Sequence, residues 1–564
     1  MRRLFSIGVI IVLAGSLLAH CVQTAGGIRI VDVRFVGADG SPMSALLYVP
    51  PGATAKTPAP GILAVHGYIN SRETQSGFAI EFARRGYVVL ALDQSGHGYS
   101  APPAFARGFG GPDGLTYLRS LAFVDQNNIG LEGHSMGGWT VLSAAAAFPT
   151  GYKSMVLEGS STGAPFAPEG TPEFPRNVAL VFSQFDEFSE LMWGVPSARD
   201  IGGSPKLWKL FGASAPVEPG KKYGAIESGT ARVLYTPAVT HPMDHISPRA
   251  IGYSIAWFQR TLDGGKPLAV DDQIWMWKEI GTLIAFIGFI VLLLGAFDRL
   301  LLLPYFATLT ASPEISTGRR NGRWWISLIG GAALPVVTLL PFFELAEMYA
   351  PASRLFPQTL TNQIVVWGVL NGLIVLALSF LPGGTRPRFN THLRRSIAIA
   401  LVTVAIGYAA LAVCDFLFTV DFRFWVLALK LMSRPQWCAF IAYLAPFTVF
   451  FVLVLRGLQS VITPAVAKPA AQYLVSIVAL TAGFIVFVAM QYGLLFSTGK
   501  VLTFFRSDVL RTIMAIQFVP IMGLVAIIAT FTYRRTRSYL PGALICALFI
   551  TWYVVAGQAT HVAG

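Results

Sequence analysis

Gly133-His134-Ser135-Met136-Gly137 is the stretch that decides how the chain folds. It stands between an apolar run at 129–131 and an alanine-rich helical pattern at 139–148. A strand, a sharp turn and a helix in that order are what a G-x-S-x-G nucleophile turn requires. Glycines at both outer positions let the backbone turn tightly and hold a strained serine at the tip, its hydroxyl projecting from the sheet. The plain alternative is a helix N-cap serine. A catalytic reading therefore needs a base, an acid and an oxyanion hole elsewhere in the chain.

Outward from this stretch, strand-like and helix-like pieces alternate. Strand patterns at 28–35, 44–49, 61–65 and 87–92 precede it, with helical patterns at 75–85 and around 115–121. Further strands are predicted at 154–157, 178–182 and 232–235, and a closing helix at 250–262. Asp39-Gly40 and Pro50-Pro51-Gly52 punctuate the first strands as turns. The alternation predicts an α/β fold with a mostly parallel sheet. A longer insert at 188–229, with Trp193 and Trp208, is a candidate cap over the site.

A serine hydroxyl needs a base to take its proton, and the base needs an acid to orient it. On a turn of this kind the chain order is Ser, then Asp or Glu, then His. Asp186 follows the strand at 178–182, and His241 follows the strand at 232–235. Asp186 is preferred over its neighbour Glu187 because it is reached first after the strand. His241 is preferred because it ends its strand-loop directly, seven residues before Pro248, and His245 is the alternative base. The oxyanion hole needs two backbone N–H donors. Met136, next after the serine, is expected to supply one, and Tyr68 in His66-Gly67-Tyr68 the other, with His66 holding that loop. Asp113, Asp125 and Asp244 read as surface or capping carboxylates.

Three motifs carry a family resemblance: His66-Gly67-Tyr68, the D-x-x-G-H-G-x-S segment from Asp93 to Ser100, and G-H-S-M-G-G from Gly133 to Gly138. Residues from about 28 to 262 resemble the α/β-hydrolase superfamily, most of all its serine-aminopeptidase and monoacylglycerol-lipase-like branch. Gln94-Ser95 stand where that branch more often has Arg-Gly. The resemblance implies the hydrolase fold and acyl-transfer chemistry, with Asp93 and His97 structural. It says little about substrate, because the fold hosts esters, thioesters, amides and peptides.

Composition divides the 564 residues in two. The totals of 54% hydrophobic and 13% charged describe a hybrid of globular and membrane parts. The expected division is a signal peptide or signal anchor at 1–27, an α/β-hydrolase domain at 28–265 and a membrane domain at 266–564. Arg2 and Arg3 followed by the apolar run 4–19 carry the first assignment. About eight apolar segments follow, with cores at 280–297, 325–343, 364–381, 397–418, 438–455, 474–495, 513–531 and 539–556. Each is long enough to span the hydrocarbon core as a helix. Trp275, Trp277, Trp324 and Trp325 fall at segment ends, where indoles prefer the interface. The stretch 422–432 reads as an amphipathic surface helix or as an extension of the next span.

The formal charge of +13 lacks the basic helix or aromatic-interleaved tract of a nucleic-acid binder, so no nucleic-acid partner is expected. Much of the excess lies in short connections: Arg319, Arg320 and Arg323; Arg386, Arg388, Arg394 and Arg395; Arg456 and Lys468; Arg534, Arg535 and Arg537. With the N-terminus inside, these fall on the cytoplasmic side and the catalytic domain on the other, as the positive-inside rule asks. Lys500, Arg506 and Arg511 weaken the contrast. Three of the four cysteines (Cys414, Cys438, Cys546) sit in or beside apolar runs, and none lies in 28–265, so neither a disulfide framework nor a metal site is expected there.

These readings converge on a multi-pass membrane serine hydrolase of the esterase, lipase or peptidase type. Ser135, Asp186 and His241 form its triad, its catalytic domain is extracytoplasmic, it needs no cofactor, and its partners are an acyl substrate and the bilayer. The rival is a transporter, receptor or assembly protein whose hydrolase-like domain binds a ligand without turning it over.

Overall fold

The computed structural model of the chain describes residues 3–311, 320–380, 392–462 and 465–563. Arg319, Arg386 and Arg388 of the positive clusters lie outside them. An N-terminal helix, α1 (Leu4–Gln23), precedes a nine-stranded sheet. Its strands are β1 (Arg29–Val36), β2 (Pro42–Val49), β3 (Ala59–Val65), β4 (Val88–Asp93), β5 (Val124–His134), β6 (Ser154–Glu158), β7 (Val178–Val181), β8 (Lys222–Tyr223) and β9 (Arg232–Tyr235). Their spatial order is β1-β2-β4-β3-β5-β6-β7-β9-β8. From β4 to β9 neighbouring strands run parallel, while β1, β2 and β8 are antiparallel edge additions.

Successive side chains of a strand point to opposite faces, and here both faces are covered, so the central strands read as unbroken apolar runs. In β3, Leu63 and Val65 enter one core and Ile62 and Ala64 the other; in β4, Val88, Leu90 and Leu92 oppose Val89 and Ala91. The first face is packed by α3 (Gly111–Ser120) and α4 (Met136–Ala147), the second by α2 (Ser76–Arg84) and α7 (Pro248–Thr261). The insert forms α5 (Ser189–Trp193), α6 (Pro205–Phe211) and β8. Its Trp193, Leu207, Leu210, Phe211 and Val217 join the α3–α4 core. The insert thus extends a core face of the domain, and its first residue, Phe188, sets its ring 4.8 Å from that of His241.

The rest is helical: α8 (Trp275–Leu300), α9 (Pro304–Ala307), α10 (Gly322–Val337), α11 (Leu339–Tyr349), α12 (Thr359–Ser379), α13 (Leu393–Phe418), α14 (Arg434–Gly457), α15 (Pro469–Thr498), α16 (Asp508–Thr536) and α17 (Leu540–Gly557). Among the described residues, eight helices, α1 included, are each long and apolar enough to cross a membrane. The pair α10 and α11, bent by 45° around Thr338 with Pro335 inside α10, would make a ninth span.

α1 lies along α8 at backbone contact. A Cβ on Gly288 would come 2.6 Å from Val12 N, one on Gly295 2.4 Å from Phe5 N, and one on Gly15 2.4 Å from Ala285 N. Only glycine permits such an approach. The stretch after α13 is neither surface helix nor helix extension. It is a hairpin, β10 (Phe422–Phe424) with β11 (Leu427–Leu429), and Arg423 and Lys430 within or beside it are buried. Arg423 binds Asp421 and Thr74 Oγ1, so its charge is paired in the contact with the N-terminal domain. The tryptophans divide: Trp277 and Trp325 are exposed, whereas Trp275 packs into the second core of the sheet domain and Trp324 donates to Ile462 O.

Candidate active site

The site is built where β5 ends. Ser135 connects β5 to α4 with φ 54° and ψ −122°, a region that L-residues rarely occupy. Its N–H donates to Glu158 O at 2.8 Å, and Ser160 Oγ donates to its carbonyl at 2.6 Å. The flanking glycines are needed for a reason other than dihedral freedom, because neither has a positive φ. A Cβ on Gly133 would lie 2.2 Å from Gly137 O, and one on Gly137 2.0 Å from Val65 O. Close approach fixes the glycines, and the serine itself carries the strain.

Acid and base come together through the parallel sheet. Beyond the ends of β7 and β9, Phe185 and Thr240 continue the pairing as a parallel bridge, which sets the next residues, Asp186 and His241, side by side. His241 Nδ1 and Asp186 Oδ2 are 2.8 Å apart, and Asp186 Oδ1 accepts the Phe188 N–H at 2.8 Å. With Nδ1–H donated to the carboxylate, Nε2 is left as the acceptor. Glu187 takes a different part: its Oε2 accepts the backbone N–H of His241 at 2.8 Å. His245, the alternative base, instead pairs its Nε2 with Gln75 Oε1 at 2.9 Å, and its ring lies tilted with its centroid 4.0 Å from that of His134. Ser135 Oγ makes no hydrogen bond among the described residues.

The loop bearing Tyr68 abuts the turn: a Cβ on Gly67 would sit 3.1 Å from Ser135 Cβ. His66 holds it, with Nδ1 2.7 Å from Gly67 O and Nε2 accepting from Gln94 N–H at 3.2 Å. Met136 opens α4, so its N–H lacks an intrahelical acceptor. Neither that N–H nor that of Tyr68 donates to an acceptor among the described residues. Both are available for a developing oxyanion. Asp93 is structural, accepting from Ser44 Oγ, Arg72 N–H and Tyr99 N–H.

Electrostatics separates the histidines. Burial would lower His241, but Asp186, and then Glu187 and Asp244, outweigh it and raise the imidazole to about 9. Burial lowers His66 to about 3 and also depresses His134 and His245. Burial, reinforced by Asp186, raises Glu187 to about 7. Asp244 is no surface carboxylate: it is fully buried, accepts from Ser183 Oγ and lies 3.6 Å from His134 Nε2. His134, His241 and Asp244 present donor atoms within 4.8 Å of one another. Of their donor atoms, His241 Nδ1 is engaged by Asp186, Asp244 Oδ1 by Ser183 and His134 Nε2 by His241 O at 3.2 Å, whereas His134 Nδ1 and Asp244 Oδ2 are buried without a hydrogen-bond partner among the described residues. A cavity of about 430 Å³ opens beside the acid loop, between Gln184, Arg199, Val217 and Thr236, and does not reach Ser135.

Residues 60–190 match the family model for the alpha/beta hydrolase fold. The N-terminal part is an α/β-hydrolase domain. A curated relative, a monoacylglycerol lipase of Mycolicibacterium smegmatis, is 28% identical over 192 residues, covering 31% of this chain and 60% of the relative's length. Similar solved structures include the esterase Pf2001 of Pyrococcus furiosus, at 16% identity, 42% of this chain, 94% of that chain and a TM-score of 0.30. Another is the hypothetical protein PA2218 of Pseudomonas aeruginosa, at 15% identity, 43% and 95% coverage and a TM-score of 0.31.

The hydrolase domain does not hold its site alone. Tyr492 of α15, Trp425 of the β10–β11 turn and His561 after α17 each reach a loop of the site. Sequence reasoning missed all three. An aromatic residue in or beside an apolar run carries no signal that sets it apart from core or interface packing.

Proposed function

We propose that the chain is a membrane-anchored serine hydrolase that cleaves acyl esters, or amides, through an acyl-enzyme. The observation that carries the reading is the combination of Ser135, held at φ 54° between β5 and α4, with a His241 whose Nδ1 is taken by Asp186. Ser135 Oγ attacks the substrate carbonyl and His241 Nε2 takes its proton. The tetrahedral oxyanion receives hydrogen bonds from the Met136 and Tyr68 N–H groups, and the positive end of α4 adds to their effect. Collapse expels the alcohol or amine, which leaves with the proton from His241. Water, activated by the same imidazole, then releases the acid.

A lipophilic ester is the preferred substrate class. Helical segments border the site, and the curated relative is a monoacylglycerol lipase. The hydrolase domain is assigned to the extracytoplasmic face, the arrangement that leaves the arginine-rich connections in the cytoplasm. In detergent-purified full-length protein, Ser135→Ala is expected to lower p-nitrophenyl ester turnover by on the order of 10³-fold or more. Turnover retained within about tenfold of wild type would exclude Ser135 as the nucleophile.

A further inference from the structure

We propose that the helical domain is part of the active site: through Tyr492, Trp425 and His561 it supplies one positioning residue to each loop that carries the acid, the base and the oxyanion donor. The inference rests on the catalytic reading of Ser135, Asp186 and His241 given above.

At the acid loop, Tyr492 of α15 donates its hydroxyl to Glu187 Oε1 at 2.7 Å, while Glu187 Oε2 accepts the His241 N–H at 2.8 Å. The buried carboxylate therefore bridges a membrane helix to the backbone of the base. Without both donors it would be an expensive group in that position. At the base loop, Trp425 donates its indole N–H to the carbonyl of Pro242, the residue after His241, at 2.8 Å. Trp425 sits at the tip of the hairpin with φ 51°, a conformation disfavoured for a bulky residue. That strain aims the indole inward rather than relaxing the turn. At the oxyanion loop, His561 Nε2 and Tyr68 Oη are 2.9 Å apart.

The His561 segment is itself pinned on both sides. Thr560 N–H donates to Gly96 O, Ala104 N–H donates to Thr560 O, and His561 N–H donates to Pro357 O, all at 2.8 Å. It thus ties the oxyanion loop to the 93–100 loop and to the segment before α12. These contacts reach 305, 183 and 493 residues along the chain from their partners, and they come from three separate elements. Docking alone would be satisfied anywhere on the domain surface. Other bonds between the two parts, such as Arg423 to Thr74 Oγ1 and Lys278 to Ser76 Oγ, lie away from the site, but these three fall on the loops that carry the acid, the base and the oxyanion donor, where a small misplacement is costly.

The test uses full-length protein in detergent, with Tyr492→Phe, Trp425→Phe and His561→Leu, and His561→Gln as a variant able to keep a hydrogen bond to Tyr68. Each of the first three is expected to lower kcat on a p-nitrophenyl ester about 10- to 100-fold with KM within about twofold, and His561→Gln to restore most of the loss. Tyr492→Phe should add nothing once Glu187→Gln is present, since both act through one carboxylate. The thermal midpoint and the fraction of protein that a fluorophosphonate can label at Ser135 should stay at wild-type values. Normal kcat in all three variants, with Ser135 still labelled, would overturn the positioning role and leave the catalytic reading intact. A kcat loss that tracks a fall in thermal midpoint or labelled fraction would overturn it in favour of plain structural support. A wild-type protein that is not labelled at Ser135 would remove the catalytic reading, and this inference with it.

Discussion

At the scale of single residues, the proposed mechanism makes the charge on His241 govern the rate. A general base must be neutral, yet Asp186, Glu187 and Asp244 overcome burial and raise this imidazole to about 9. His134, itself lowered by burial, is the other titratable ring against it. The rate constant kcat/KM is therefore expected to rise between pH 7 and about 9 and level off above, and Glu187→Gln to move the midpoint downward. A pH profile measured on both proteins checks this; a midpoint near the ordinary 6.5 in the wild type would contradict it. Stability follows the opposite course. Because the folded value lies above the ordinary one, the stabilisation linked to His241 is complete below 6.5 and lost as pH rises through about 9.

At the scale of elements, legibility follows periodicity. The buried parallel strands, the turn at Ser135 and the chain order Ser135, Asp186, His241 could be read because each leaves a local mark: an apolar run, paired glycines, a polar residue just past a strand. The hairpin at Phe422–Leu429 could not, since two three-residue strands in an apolar region carry too little period to separate from a helix end. The short antiparallel β8 escaped notice for the same reason. Asp244 was misread because burial is a tertiary property, and its partners Ser183 and His134 lie far from it in sequence.

The pair of α1 and α8 is an element-scale device of another kind. Gly281, Gly288 and Gly295 recur every seven residues along α8 and meet α1 at backbone distance. Gly288→Leu should force the helices apart and cost about 1–3 kcal/mol, read as a lowered thermal midpoint in detergent. An unchanged midpoint would mean that the two helices do not pack as described.

At the scale of the whole molecule, the helical segments that meet the hydrolase domain gather at one end of the bundle. They are the start of α8, the β10–β11 hairpin, the end of α15 and the chain after α17. Arg535, in the last turn of α16, pairs with Asp298 of α8 away from that contact. Arg511, which weakened the charge contrast between the two sides, is buried and bound to Glu344, Glu347 and Asp508, so its charge is neutralised locally. The proposed extracytoplasmic placement predicts a hydrolase domain digested by protease added outside intact spheroplasts, and a protected domain would reverse it. None of this inter-domain geometry was legible beforehand, because residues hundreds of positions apart meet only once both halves are folded.

The central claim, that Ser135 is an activated nucleophile within this assembly, is tested most directly by covalent labelling. Full-length protein treated with a fluorophosphonate and analysed by peptide mass spectrometry should carry one adduct, on the peptide containing Ser135, and His241→Ala should abolish it while the protein stays folded. An adduct elsewhere, or none on folded wild-type protein, would contradict the account.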